Sequence, residues 1–306
     1  MREEFTAVAF GGLDQSSLAV VGDTLGDVWM SRDEGQSWDA LPTPTESIGV
    51  VSALMISPTG LSQGGAILIG TSAGSVYAFD GTNQAITRIG SFPAGSESAW
   101  GNDRAAVTSL AVSSDYPDSG MIYAATWNEA VMKTGDGGTT WQMQSDGLST
   151  AGQANTPAYF SPQFKTLVTA QRWDGVDDVF LAGFDGLFKS MDGGEDWIQL
   201  ETRPLAQIKH LAVSEDLNSK TAVAISTYGG GAYVSSDGGD SWVIATEGLR
   251  TTRLDGIVFS PEFARDRTLF AAASGALCKS TNGGQLWNFY EPGTNWRLWL
   301  SRRLRS

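Results

Sequence analysis

The 306-residue sequence contains one cysteine, Cys278, and one histidine, His210. A single cysteine excludes a disulfide within the chain and any thiolate metal cluster, and a single histidine excludes the usual His-rich metal sites. We therefore predict no metal and no cofactor. No run of 18 apolar residues occurs either, so we predict no transmembrane segment.

Positive charge is also scarce, because 20 Lys and Arg face 34 Asp and Glu, for a formal net charge of −14. Such a surface repels phosphate backbones, so we predict no nucleic-acid partner. The start of the chain, Met1 to Glu4, lacks the apolar core of a secretory signal. We expect a cytoplasmic location if Met1 is the native start, and a secreted or periplasmic one if a signal peptide has been removed.

A repeated pattern, S/T-x-D/N-x-G-x-x-W, is the strongest feature of the sequence. It occurs at 31–38, 134–141, 190–197, 235–242 and 280–287. The gaps between the first residues are 103, 56, 45 and 45, and the gap of 103 holds two periods. A degenerate copy, Gly74 to Gly81, lies in that gap with Phe79 in the Ser position, which makes six repeats.

Each pattern is flanked by short extended apolar segments, which predicts a hairpin loop. We call these the box loops. The Asp or Asn accepts hydrogen bonds within its own turn, Gly supplies a positive φ, and Trp covers the turn with an apolar face. We predict structural roles for twenty residues: Ser31, Asp33, Gly35, Trp38, Thr134, Asp136, Gly138, Trp141, Ser190, Asp192, Gly194, Trp197, Ser235, Asp237, Gly239, Trp242, Ser280, Asn282, Gly284 and Trp287.

Two more strands precede each box loop, so every repeat holds four strands, as in a propeller blade. We predict an all-β, six-bladed β-propeller of four-stranded antiparallel blades, forming one domain over residues 1–293. The predicted blades are about 1–44, 45–92, 103–147, 154–203, 206–248 and 253–293. The segment Lys165 to Gly175 is interpreted as an insertion that lengthens the fourth blade.

The box pattern resembles the Asp-box, or bacterial neuraminidase repeat, family of β-propellers over nearly the whole chain. That family includes sialidases, xyloglucan-degrading glycosidases, the sortilin receptor class and the photosystem II assembly factors of cyanobacteria and chloroplasts. The resemblance implies that the box loops lie on the blade periphery, opposite the usual ligand side, and are not the site. It says little about activity, because one fold hosts many functions.

No catalytic residue is predicted. The Phe/Tyr-Arg-Ile/Leu-Pro signature expected of a sialidase in the first blade does not occur. His210 lies within an apolar strand, which favours a core or blade-interface histidine. Cys278 lies in a strand before a box loop, with no nearby base. We predict a non-catalytic binding or scaffolding propeller with a protein partner. The alternative is a carbohydrate-active propeller, a glycosidase or glycan-binding protein, that uses carboxylates and aromatic residues on its top face.

A ligand is expected on the face formed by the loops between second and third strands and between blades. The predicted binding residues are Trp100, Asp103, Arg104, Trp127, Asn128, Glu129, Tyr228, Arg250 and Arg253. Trp100, Arg104, Trp127 and Tyr228 should lie on one face, and replacing Trp100 and Trp127 by Ala should weaken binding without unfolding.

The segment 294–306 forms a basic aromatic tail, with Trp296 and Trp299 among four arginines. Its period-2 pattern suits a strand that packs beside a blade edge. A basic apolar segment on an acidic chain could instead dock to an acidic partner or an anionic membrane surface. We favour packing against the propeller, because two exposed tryptophans would form an adhesive patch.

Overall fold

A computed structural model shows that the chain is a six-bladed β-propeller. The structure describes residues 4–11, 18–42, 44, 46–59, 61, 64–92, 106–127, 130–148, 164–172, 175–184, 186–201, 207–215, 221–273 and 276–290. The tail 294–306 lies outside these residues.

Every blade is a four-stranded antiparallel sheet whose strands are ordered as in the sequence. Blade 1 comprises β1 (Phe5–Gly11), β2 (Leu18–Asp23), β3 (Val28–Ser31) and β4 (Asp39–Ala40). Blade 2 comprises β5 (Val51–Ile56), β6 (Ala66–Thr71), β7 (Ser75–Asp80) and β8 (Ala85–Ser91). Blade 3 comprises β9 (Val107–Val112), β10 (Ile122–Thr126), β11 (Val131–Thr134) and β12 (Gln142–Gln144).

Blade 4 comprises β13 (Phe164–Gln171), β14 (Asp177–Gly183), β15 (Gly186–Ser190) and β16 (Ile198–Leu200). Blade 5 comprises β17 (Ile208–Glu215), β18 (Thr221–Thr227), β19 (Ala232–Ser235) and β20 (Val243–Ile244). Blade 6 comprises β21 (Gly256–Phe259), β22 (Leu269–Ala273), β23 (Ala276–Ser280) and β24 (Asn288–Tyr290). Each set of four strands falls inside one of the ranges expected from the repeat.

One short helix, α1 (Phe263–Asp266), connects β21 to β22. Within the described ranges, no helix has the length and hydropathy needed to cross a membrane. The prediction of an insertion at Lys165 to Gly175 is wrong, because most of that segment is the first strand of blade 4, β13. Its alternating sequence, Phe164-Lys-Thr-Leu-Val-Thr, has the same pattern as the first strands of the other blades.

The described residues divide into two compact units. The first contains the described residues up to Leu181 together with Phe188–Gln199, and the second contains Ala182–Leu187 and the described residues from Leu200 onwards. In the first unit, apolar cores lie between blades 1 and 2, between blades 2 and 3, and between blades 3 and 4. In the second unit, the core lies between blades 5 and 6 and includes Trp287 and Cys278.

Two junctions between consecutive blades use the same contact. In the first unit, the backbone N–H of Trp197 donates to the carbonyl of Asp146 at 3.1 Å, and in the second unit Trp287 donates to Glu247 at 2.9 Å. A glycine follows each acceptor, Gly147 or Gly248, with φ near +80°. The tryptophan of one blade is therefore fixed on the loop that ends the preceding blade.

The hairpin of blade 2 is kept although its box pattern is lost, as the degenerate repeat predicts. The turn joins β7 to β8, and the Asp80 carboxylate accepts hydrogen bonds from the backbone N–H of Thr82 and the amide of Asn83, both at 2.7 Å. In the other five blades the box tryptophan directly precedes the outer strand. The five tryptophans therefore occupy equivalent positions.

Candidate functional site

In each blade, the start of the first strand and the end of the second strand lie at the same end of the sheet. We call this end the leading end of the blade. A buried polar residue ends the second strand there in four blades. The hydroxyl of Thr126 donates to the carbonyl of Ala130 at 2.7 Å, and that of Thr227 donates to Gly231 at 2.8 Å. Thr71 and Asp23 bond their own turns in blades 2 and 1. These bonds fix the turn before the third strand.

The residue after this buried polar residue is held at the leading end by a backbone hydrogen bond. Its backbone N–H donates to the carbonyl just before the first strand, in blades 1, 2, 3 and 5. In blade 3 that residue is Trp127, bonded to Ala106 at 2.9 Å, and in blade 5 it is Tyr228, bonded to Gln207 at 2.9 Å. Blades 1 and 2 have Thr24 and Ser72 there. Two predicted binding residues thus share one position of the repeat, each at the leading end of its own blade.

Tyr228 lies beside two cationic side chains of the second unit. Its side chain is 47% exposed, so the ring remains accessible. The guanidinium carbon of Arg253 lies 4.2 Å from the ring centroid, and the Lys209 ammonium lies 5.5 Å from it. The same ammonium pairs with the Asp255 carboxylate at 2.5 Å. We call Lys209, Tyr228, Arg253 and Asp255 the Tyr228 patch.

The backbone holds Arg253 against Tyr228. The two residues form an isolated antiparallel bridge. On either side of it, Gly231 donates to the Thr252 carbonyl at 2.8 Å and Leu254 donates to the Thr227 carbonyl at 3.3 Å. The contact between guanidinium and ring is thus built into the fold, and such a contact is worth about 0.5–1 kcal/mol at an exposed site.

Lys209 owes its orientation to a β-bulge. The pairing of β17 with β18 shifts between Ile208 and His210, which leaves Lys209 outside the regular ladder. Blades 1, 2 and 3 carry the same shift at Thr6, Ser52 and Thr108. There the short hydroxyls donate to backbone carbonyls, at 2.6 Å to Val51 for Thr6 and 2.6 Å to Val107 for Ser52. A bulge re-aims one side chain, and in blade 5 that side chain is a cation.

A similar contact occurs in the first unit. The ammonium of Lys165, the second residue of β13, lies 3.9 Å from the centroid of the Trp127 ring. Lys165 and Lys209 occupy the same position of the repeat in blades 4 and 5. A lysine at this position therefore contacts the aromatic residue of a leading end in each unit.

The remaining predicted binding residues are not brought together in the described structure. Arg250 stacks on Phe289 of the outer strand β24, with its guanidinium carbon 4.6 Å from the ring centroid. Trp100, Asp103, Arg104, Asn128 and Glu129 lie outside the described residues. The prediction that Trp100 and Arg104 share a face with Trp127 and Tyr228 remains a prediction.

Sequence reasoning missed Lys165, Lys209 and Asp255. The signal that could have found the two lysines is the second position of the first strand, where blades 1 to 3 carry Thr, Ser and Thr and blades 4 and 5 carry Lys. Lysine thus replaces a small hydroxyl residue at this position of the repeat in blades 4 and 5. Asp255 directly precedes the first strand of blade 6, β21.

The box loops lie between the third and fourth strands, at the opposite end of each blade. In all five, the Ser or Thr hydroxyl donates to the Asp or Asn oxygen at 2.7–2.9 Å. The same hydroxyl accepts from the Gly N–H at 2.7–3.1 Å. The Asp33 carboxylate accepts several hydrogen bonds, chiefly from the Ser37 side chain, and these lower its pKa to about 2. Hydrogen bonds to Asp136, chiefly from the Thr140 side chain, lower the pKa of that carboxyl to about 2 as well. Every one of these bonds is internal to its loop.

His210 and Cys278 are both engaged in packing. Burial lowers the pKa of His210, opposed in part by a hydrogen bond to the backbone of Ile257 in the next blade. Burial raises the pKa of the Cys278 thiol, opposed in part by Arg250. A thiol with a raised pKa is a weak nucleophile. Among the residues that the structure describes, no cluster of three or more His, Cys, Asp or Glu could hold a metal ion.

No family model matches the chain, and no curated protein matches it in sequence. Among solved structures, an ancestral GH74 enzyme matches with a TM-score of 0.66 and 16% identity, over 94% of this chain and 38% of that enzyme. The chain thus spans well under half of that enzyme's length. Virginiamycin B lyase from Staphylococcus aureus matches with a TM-score of 0.65 and 10% identity, over 94% of this chain and 84% of the lyase.

A third match is YCF48 bound to D1 peptide, with a TM-score of 0.60 and 14% identity, over 94% of this chain and 82% of that one. The three proteins are propellers. At 10–16% identity they establish the β-propeller fold of this chain and not its activity.

Proposed function

We propose that this chain is a non-catalytic binding propeller that takes part in protein–protein interaction or complex assembly, and that its box loops are structural Asp-box repeats. The observation that carries the proposal is the Tyr228 patch. An exposed aromatic ring with an arginine beside it is the composition of an interaction hot spot, where Tyr and Arg are enriched. The Trp127–Lys165 pair supports a similar role for the leading end of blade 3.

The neighbouring structures support this proposal without deciding it. A propeller of the same fold, YCF48, is known bound to a peptide. Cys278 is buried, and His210 bonds to backbone across a blade junction, so neither is placed for nucleophilic catalysis. The alternative, a carbohydrate-active propeller, is supported by the likeness to the ancestral GH74 enzyme. That mechanism needs two carboxylates on either side of a glycosidic bond.

A selection and an activity assay on the same preparation separate the two functions. The immobilised chain is screened against a displayed library of random dodecapeptides, and in parallel it is incubated with xyloglucan and other polysaccharides. We expect selected peptides to bind saturably, and Tyr228→Ala and Trp127→Ala to weaken binding at unchanged melting temperature. If the chain instead released reducing sugar from a polysaccharide, and if one Asp→Asn or Glu→Gln substitution abolished that release, the chain would be a glycosidase.

A further inference from the structure

The two cations of the Tyr228 patch differ in how their charge is balanced. The Lys209 ammonium is paired with Asp255, so the pair is close to neutral. Within the described ranges, Arg253 forms no ion pair, and its contact is with the Tyr228 ring. On a chain of net charge −14, an exposed guanidinium without a carboxylate partner attracts an external anion.

The geometry also favours one kind of anion. A guanidinium held over an aromatic face keeps its N–H donors at its edge, in a fork that matches the two oxygens of a carboxylate. The bridge between Tyr228 and Arg253 and the bonds from Gly231 and Leu254 hold this arrangement before any ligand arrives. Less conformational entropy is then lost on binding.

The net charge of the chain disfavours a long polyanion. Because the whole chain is acidic, with a net charge of −14, an extended phosphate backbone would be repelled along most of its length. A short segment with one or two carboxylates avoids that repulsion. Its other groups would meet a patch that offers a hydrogen-bond acceptor, Asp255, beside a donor, Arg253. A peptide, which carries N–H donors along with its carboxylates, meets both requirements.

We infer that the Tyr228 patch recognises the carboxylate of an acidic peptide segment through Arg253, with the Tyr228 ring as its apolar contact. This inference rests on the proposed function and names the chemistry of the partner.

The test uses the full chain and two synthetic hexapeptides with blocked ends, Gly-Gly-Glu-Glu-Gly-Gly and its Gln counterpart. Binding is followed by 1H–15N NMR titration. We expect the Glu peptide to shift the amides of Tyr228 and Arg253 and to bind at least about tenfold more tightly than the Gln peptide, since one charge-assisted hydrogen bond is worth about 1.5–3 kcal/mol. Arg253→Gln should weaken binding by on the order of tenfold, and Arg253→Lys by less.

Arg265→Gln is the matched control, because it makes the same change of charge in the second unit at an exposed arginine that pairs with Glu262. Equal weakening by Arg265→Gln would reduce the effect to net charge and overturn the inference. If both peptides bound equally and both required Tyr228, the proposed function would stand and the carboxylate inference would fail. If neither peptide bound while sialyllactose shifted the same amides, both the inference and the peptide function would fail.

Discussion

Gly248 has no room for a side chain, because a Cβ atom there would lie 2.2 Å from the carbonyl oxygen of Trp287. The same glycine has φ of +83°, in the left-handed region that glycine adopts without strain. Its neighbour Glu247 accepts the backbone hydrogen bond of Trp287. Close packing between blades 5 and 6 therefore depends on the absence of one methyl group.

Gly248→Ala should lower the free energy of unfolding by about 3 kcal/mol, since the new Cβ must displace backbone and the positive φ adds strain. Chemical denaturation followed by Trp fluorescence measures the change. The control is Gly256→Ala, where a Cβ would meet no atom within 4 Å and φ is not positive. Equal effects of the two substitutions would show that the contact with Trp287 is unimportant.

Removing the carboxylate of a box loop should destabilise the fold. Asp237 accepts the Ser241 N–H at 2.9 Å and the Ser235 hydroxyl at 2.7 Å. Asp237→Ala and Asp192→Ala should each cost roughly 1–3 kcal/mol, because backbone donors lose their acceptor. Asp237→Asn is the control, since Asn282 makes the same bonds in blade 6. Loss of a binding activity at unchanged melting temperature would mean that the box loops act in binding.

Two carboxylates of the box loops should make the stability of the fold depend on pH at low pH. Asp33 and Asp136 have a pKa of about 2 in the folded chain, below their ordinary value of 3.8. Their contribution to stability is thus present above pH 3.8 and is lost as the pH falls from about 4 to about 2. Asp136→Asn should flatten the pH dependence of the melting temperature in this window. An unchanged slope in that variant would contradict the assignment to Asp136.

His210 should act in a higher pH range and with a defined sign. Its pKa is lowered from 6.5 in the folded chain, so on acidification the unfolded state takes up a proton first. Stability should fall as the pH drops below about 6.5 and level off below the folded pKa. Its sequence neighbour Lys209 forms an ion pair with Asp255. His210→Gln should remove this slope, and because the chain has one histidine, its NMR titration reports the folded pKa directly.

The tail prediction is tested by deleting residues 294–306. If the tail packs against the propeller, the deletion should cause a large fall in melting temperature. If it docks to an acidic partner or an anionic membrane, stability should be unchanged while binding to that partner or to anionic vesicles is lost. No change in either property would contradict both interpretations.

The repeat pattern predicted the blades because the residues that form each box loop lie close together in the sequence. Ser235, Asp237 and Gly239 bond to one another within five residues, so the pattern is visible as a string of letters. The first strand of blade 4, β13, was interpreted as an insertion because first strands lie away from the box loops and β13 lacks the Leu-Ala-Val sequence that β9 and β17 share. Where the marker residues are absent, an alternating segment such as 164–171 can be interpreted as insertion or strand.

The Tyr228 patch was only half predictable. Tyr228 and Arg253 follow from loop positions, whereas Arg250, three residues from Arg253, stacks on the outer strand instead. The sequence does not distinguish the two arginines, because their different contacts depend on the path of the backbone. Lys209 was missed because its orientation depends on a shift of register, and register is a property of two paired strands that one strand's sequence does not contain.

The contact of Trp197 with Asp146 and that of Trp287 with Glu247 have a consequence for how such a chain could lengthen. Each junction is made of two unlike halves, a loop carbonyl at the end of one blade and a tryptophan N–H in the next. A blade that carries both halves would join a duplicate of itself by the same contact. Blade 3 carries the Asp146 carbonyl and a box tryptophan, Trp141, and blade 5 carries the Glu247 carbonyl and Trp242. Tandem duplication of either of these two blades thus needs no new kind of interface, whereas blade 2, which has no box tryptophan, would leave the Asp146 carbonyl unpaired if it followed blade 3.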